Sequence, residues 1–188
     1  MDAIETLMNE HRQIERAIDA LVAFAAEARR GRSEGEKERL ARFVEFIREF
    51  ADRQHHGKEE DILFAAMVEA GFPRQGGPVA VMLHEHDLGR ARVAELVRLA
   101  GLGTTWTDEE RTRLADAAIG YGNLLRAHIH KEDAILYPMA EQRLPEAVAR
   151  RVDEACEAFD AERRARGEGQ RLEALAAALA PAAVAAHP

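Results

Sequence analysis

His55-His56-Gly57-Lys58-Glu59-Glu60-Asp61-Ile62-Leu63-Phe64 occurs a second time in this chain, as His128-Ile129-His130-Lys131-Glu132-Asp133-Ala134-Ile135-Leu136-Tyr137. Both copies read His, two residues, Lys, Glu, then Ile-Leu and an aromatic. Four residues separate His from Glu, so on a helix both side chains leave one face, a turn apart. An imidazole and a carboxylate stacked this way reach one metal ion or an adjacent pair. The apolar residues that follow continue that face, which buries the pair. Two buried carboxylates are costly unless a cation neutralises them, and a metal supplies that cation.

The rest of the chain reads as helices built around these two blocks. Helix A spans about Asp2 to Arg30, with Ile4, Leu7, His11, Ile14, Ile18, Leu21 and Ala25 on one stripe. Gly31 to Gly35 breaks it, and Ser33 with Glu36 reads as a capping box. Helix B then runs to about Ala70 on Leu40, Val44, Ile47, Ala51, His55, Glu59, Ile62 and Ala66. His56 is rotated about 100° from His55, so the stripe puts His55 and Glu59 inward and His56 and Glu60 toward the rim. A Gly- and Pro-rich loop, residues 71–78, leads into helix C, which ends near Ala100. Its stripe is Val79, Met82, Leu83, His86, Val93, Val97 and Ala100; His84 points away.

Thr107 with Glu110 is a second capping box and opens helix D. Its stripe is Leu114, Ala118, Tyr121, Leu125, His128, Glu132, Ile135 and Met139, with His130 on the polar side. Pro138 kinks or ends it. Pro145 to about Arg166 reads as a fifth helix and Leu172 to Leu179 as a short docking helix. The tail from Pro181, with His187, reads as frayed. The expectation is an all-α, antiparallel up-down-up-down four-helix bundle over residues 1–142. A C-terminal extension, residues 143–188, packs on it.

Bulk composition fits this reading. The 188 residues are 47% hydrophobic and 32% charged, with 5% aromatics, and Ala, Leu, Glu and Arg favour helix. A net charge of −8 without a basic stripe disfavours nucleic acid and anionic membrane as partners. The single cysteine, Cys156, excludes an internal disulfide and a Cys-rich zinc site, and reads as a small core residue. No apolar h-region opens the chain and no run reaches the roughly 20 apolar residues of a membrane span. A cytoplasmic protein is expected.

Four long helices thus each carry one histidine on the apolar stripe: His11, His55, His86 and His128. Glu59 and Glu132 complete the set. A lone core histidine is ordinarily just hydrogen-bonded, but four on four helices with two buried carboxylates are not explained that way. Six ligands exceed a four-coordinate structural zinc site. They suit two ions bridged by carboxylates and a shared oxide or hydroxide, each with two histidines and an open position. Nitrogen and oxygen donors with an open position favour iron over manganese or zinc.

His11, His55-x-x-x-Glu59, Glu85-His86-Asp87 and His128-x-x-x-Glu132 together resemble the hemerythrin-like, HHE cation-binding family over Met1 to about Gln142. The resemblance implies a four-helix bundle with a non-haem di-iron centre that binds dioxygen, nitric oxide or peroxide, or iron itself as a signal. Oxygen carriers of this family have His-x-x-x-His on helix C. Here Met82 and Arg90 stand at the two candidate positions, which leaves the site one histidine short and favours sensing or detoxification over oxygen carriage.

Carriers also place an Asp five residues after the helix D histidine, and Asp133 stands there, so it is an alternative to Glu132. Some family members carry a ligand at the position of His56. Glu15, one turn past His11, is a further candidate carboxylate, weighed against an ion pair with Arg12 or Arg16. Tyr121 is the candidate donor to a bound oxygen species, Arg90 reads as a surface side chain, and Trp106 as a hydrophobic staple.

The alternative function is an enzyme at the same centre, with catalase- or peroxidase-like activity or nitric-oxide and iron-sulfur repair. That last branch usually carries a preceding cysteine-bearing segment, which this sequence does not show. A metal-free structural bundle is the weakest reading. A ferritin-like oxidase needs Glu-x-x-His, which no histidine here provides. A sensor would need a separate partner, and a redox partner or homodimer is compatible with the sequence.

Overall fold

In a computed structural model, which describes residues 1–31 and 35–179, the chain forms six helices and no strand among the described residues. Helix α1 is Asp2–Arg29. Helix α2 occupies 36–69: an α-helical start at Glu36–Phe46, π-helical turns at Ile47–His56 and Glu59–Phe64, and an α-helical end at Ala65–Glu69. Helix α3 is Gly77–Ala100, with Pro78 in its first turn, where its missing N–H costs nothing. Helix α4 occupies 108–143, α-helical over Asp108–Lys131, π-helical over Glu132–Leu136 and α-helical again over Tyr137–Arg143. Helices α5, Glu146–Ala165, and α6, Glu168–Leu179, follow.

The Thr107–Glu110 capping box forms as expected, with both reciprocal hydrogen bonds. The Ser33 cap and the tail with His187 lie outside the described residues; α2 begins with Gly35 at its N-cap position. Pro138 does not end α4. It falls just after the π turn, in the first turn of Tyr137–Arg143, and the helix continues. Trp106 is buried and its indole N–H donates to the Leu99 carbonyl at 3.0 Å, so it closes the α3–α4 corner.

Pairs across the helices give the topology. Glu27 meets Arg39 and Glu10 meets Gln54, so α1 and α2 are antiparallel. Glu60 meets His86 while Asp52 meets Arg90, and Glu85 meets His128 while Arg92 lies against Gly120, so α3 is antiparallel to α2 and α4 to α3. His11 meets Asp133 while Arg111 meets the Ala28 carbonyl, closing the four-helix ring between α4 and α1. Helix α5 is tied to the bundle by the Ala3 N–H on Asp153 and by Lys58 on Asp160. Leu172 and Leu179 of α6 join the core against α1 and α2.

The interior is layered. One apolar cluster holds Leu21, Phe24, Phe43, Leu96 and Leu114. The other, toward the opposite end, holds Ile4, Leu63, Met67, Val79 and Leu136, with Cys156 of α5 as a buried member. His11, His55, His86, His128, Glu59 and Glu132 are buried between them.

The π turns shift which residues face inward. An i→i+5 turn takes one more residue than an α turn, so the stripe beyond it moves on by one. Ile135 is 52% exposed and Leu136 is buried in its place; Ile62 and Met139 are only partly buried, while Leu63 and Ala140 are interior. In α3, Val97 is also exposed, with Leu96 and Leu99 facing the core.

Candidate metal centre

The buried polar layer is assembled from all four bundle helices. Five histidines enter it, not four. His56 is as buried as its neighbours, because the π turn at Ile47–His56 brings two consecutive histidines inward. The expected rim position of His56 is therefore corrected: a helical wheel of 100° per residue does not apply in this segment. Glu60 lies at the margin and His84 and His130 are exposed. Glu15 is not brought to the layer; it pairs with Arg12 at 3.0 Å.

Every one of the five histidines has its Nδ1 against a carboxylate. His11 meets Asp133 at 2.7 Å, His55 meets Glu10 at 3.0 Å and His56 meets Asp52 at 3.3 Å. His86 meets Glu60 at 2.7 Å and His128 meets Glu85 at 3.0 Å. A carboxylate on Nδ1 fixes the proton there and leaves the Nε2 lone pair free, the usual way a protein orients imidazole toward a metal. Asp133 thus faces His11 from outside, and Glu132 holds the inward place.

The Nε2 atoms converge on Glu59 and Glu132. His11 and His128 lie 3.3 and 3.2 Å from Glu132, and His86 and His55 lie 3.4 and 3.6 Å from Glu59. His86 Nε2 stands 3.0 Å from His128 Nε2. With both Nδ1 atoms protonated, that contact sets lone pair against lone pair unless a proton or metal ion intervenes. Among the described residues, His56, Glu59, His86 and His128 form one set of donor atoms lying within 4.8 Å of one another, and His11, His55, Glu59 and Glu132 form a second. His56 Nε2, Glu59 Oε2 and both oxygens of Glu132 are buried without a hydrogen-bond partner. Orphaned buried donors and acceptors of this kind call for a bound cation.

The charges behind the histidines are also paired. Arg12 holds Asp133, and Lys131 holds Glu85. Arg90 holds both Asp52 and Glu60, at 2.8 and 2.7 Å, so it is a structural partner of the layer and not a free surface side chain. Lys58, fully buried, donates to Glu10 at 2.6 Å and to Asp160 at 3.0 Å. The lysine repeated in both sequence blocks thus holds a carboxylate that holds a histidine.

Electrostatics follow this geometry. Burial disfavours the imidazolium at His11, but the hydrogen bond to Asp133 and the neighbouring Glu132 carboxylate outweigh it and lift the ring to about 9. His86 is lifted to about 10 against the same burial, by Glu59 and Glu60. His56 goes the other way, to about 4, through burial and the nearby His86. Burial works against Glu59 too, yet His55 and His86 hold its carboxyl well below the ordinary range. Without a metal, protons supply the positive charge these carboxylates require.

Tyr137 was not among the expected residues. Its hydroxyl donates to Glu59 Oε1 at 2.6 Å, and its ring stacks on His11 with 5.5 Å between centroids. Glu10, Asp52, Glu60 and Lys58 also had no assigned role; their signal was a charge within four residues of a histidine, and for Tyr137 the aromatic closing the repeat. Tyr121 instead lines a cavity of about 160 Å³, with Ile47, Val93 and Leu125, that opens between α2, α3 and α4 onto His56, His86 and His128.

No helix among the described residues is long and apolar enough to cross a membrane. Residues 2–140 match the model of the hemerythrin HHE cation-binding domain. The iron-sulfur cluster repair protein YtfE of Musicola paradisiaca (strain Ech703) is 41% identical over 90 residues, 46% of this chain and 40% of that protein, so the chain spans less than half of this relative. No solved structure matches the chain. With residues 2–140 matched and the histidine–carboxylate layer in place, the chain belongs to the hemerythrin HHE cation-binding family.

Proposed function

We propose that this chain is a non-haem di-iron protein that binds a small oxidant, dioxygen, peroxide or nitric oxide, and acts in sensing or detoxification. The observation that carries this reading is the converging donor set: five Nε2 atoms and two carboxylates, each imidazole oriented by a carboxylate on Nδ1. Nitrogen and oxygen donors without sulfur suit iron, with manganese and zinc as the alternatives. His56, His86 and His128 would hold one ion and His11 and His55 the other, with Glu59 and Glu132 between them. Iron held there supplies one-electron redox chemistry and coordination positions for the oxidant.

Counting His56 removes the shortfall of one histidine that the motif comparison alone suggested. What favours reaction over carriage is now the access. A cavity of about 160 Å³ reaches the His56 side, while a water molecule needs only about 10–15 Å³ of such space. Its border includes Asp52 and Arg90, so solvent and polar reagents reach the centre, where an oxygen carrier must exclude them.

A second reading is iron-sulfur cluster repair. It is favoured by the relative bearing that name, over a segment shorter than half of that protein.

Metal analysis with absorption spectra, before and after dioxygen, peroxide and nitric oxide, tests the proposal. Near two irons per chain and a near-ultraviolet charge-transfer band that responds to these ligands are expected. His55→Ala, His128→Ala and His56→Ala should each lower the iron content. Full content in all three would overturn the assignment. Oxygen evolution from peroxide no faster than with free iron would remove the catalase-like alternative.

A further inference from the structure

Four of the five histidines are backed by cations at the protein surface. The side chains of Arg12, Arg90 and Lys131 are 49%, 38% and 34% exposed. His55 is backed differently. Its Nδ1 meets Glu10 Oε2 at 3.0 Å, and Glu10 Oε1 accepts from Gln54 at 2.9 Å and from Lys58 at 2.6 Å. The Lys58 side chain is completely buried and divides its donors between Glu10 and both oxygens of Asp160, at 3.1 and 3.0 Å. Asp160 stands on α5, beyond the matched residues 2–140.

A buried ammonium needs a full set of hydrogen bonds to offset its desolvation. One carboxylate would balance its charge; here there are two. The second draws Lys58 partly away from Glu10, so Glu10 keeps more negative charge for His55. A more negative carboxylate on Nδ1 makes the imidazole a stronger donor at Nε2, and a stronger donor favours the oxidised metal.

We propose that Asp160 and Lys58 are positioning residues through which helix α5 sets the donor strength of His55 toward the metal, and so the reduction potential of the centre. The proposal rests on the di-iron reading above.

The test uses the full chain loaded with Fe(II) and its Asp160→Asn, Lys58→Met and doubly substituted variants. Iron per chain and the reduction potential by spectroelectrochemistry are the readouts. Asp160→Asn commits Lys58 to Glu10, so the Fe(III)/Fe(II) equilibrium should move about tenfold toward the reduced state, about 59 mV for one electron. Lys58→Met strips Glu10 of its cation and should move it the opposite way, with the double variant between. Asp153→Asn is the control: Asp153 also ties α5 to the bundle, through the Ala3 N–H at 2.9 Å, but does not reach a histidine, and should leave the potential unchanged.

Shifts of one sign in both single variants, or unchanged potential with iron retained, would overturn the proposal. If Lys58→Met does not fold, Asp160→Asn against Asp153→Asn still decides it. A wild-type chain that takes up no iron defeats the di-iron reading itself, and that outcome is separate from an iron-loaded chain whose potential ignores Asp160.

Discussion

Tyr137 makes the two central carboxylates unequal. Its hydroxyl occupies Glu59 Oε1 and leaves Oε2 without a partner, whereas both oxygens of Glu132 are unpartnered. Glu59 therefore offers a metal one ready oxygen and Glu132 two. Tyr137→Phe keeps the ring stacked on His11 and removes only the O–H. Losing an outer partner of this kind costs about 10–100-fold in metal affinity, and that loss is expected in competition with a chelator of known affinity. A change of less than about threefold would reduce Tyr137 to a packing residue. Six of the inward side chains, His11, His55, Glu59, His86, His128 and Glu132, were legible from the stripes: His11, His86 and His128 lie on α-helical faces, and Glu59 and Glu132 each stand four residues past a histidine. His56 and Tyr137 were not, since each owes its direction to a π turn that residue spacing does not encode.

At the scale of the element, the π turns of α2 and α4 do two things. They aim His56 and Tyr137 inward, and they re-phase the helix beyond. An unbroken α-helix would bury Ile135; here Ile135 is 52% exposed and Leu136 is 1% exposed. Alanine at Leu136 should cost about 2–5 kcal/mol, as for other buried leucines. Alanine at Ile135 should stay within about 0.5 kcal/mol, as for surface sites. Denaturant melts of the two metal-free variants decide it, and equal costs would argue for an α-helical phase. The helices themselves, their antiparallel order and the Thr107 cap were legible because apolar period and capping chemistry are local. The depth of Glu10 and Lys58 was not: local pattern reads both as solvated charges, and only the arrival of Asp160 from α5 makes burial affordable.

For the whole molecule, protons and metal compete for one layer. In the metal-free protein His11 at about 9 and His86 at about 10 lie above the ordinary value of 6.5. The stability from these raised rings is complete below pH 6.5 and is lost as pH rises through 9 to 10. His56 at about 4 acts oppositely, its contribution being lost as pH falls from 6.5 through 4. The metal-free melting temperature should therefore fall on going from pH 7 to pH 10, and fall again on acidification below pH 6.5. Metal affinity should rise over the upper window, because binding must displace the protons on His11 and His86. Melts with and without a chelator across pH check both, and a flat metal-free profile above pH 7 would show that these rings are not protonated. The outward face of the same layer carries Arg12, Arg90 and Lys131, all partly exposed. Exposed charges are screened by salt within about 10 Å at 0.1 M, while a buried pair such as Lys58 with Glu10 is screened much less. Rising ionic strength thus loosens the clamps on His11, His56, His86 and His128 and spares the one on His55, making the residence time of the bound ion a property of the surrounding electrolyte as well as of the protein.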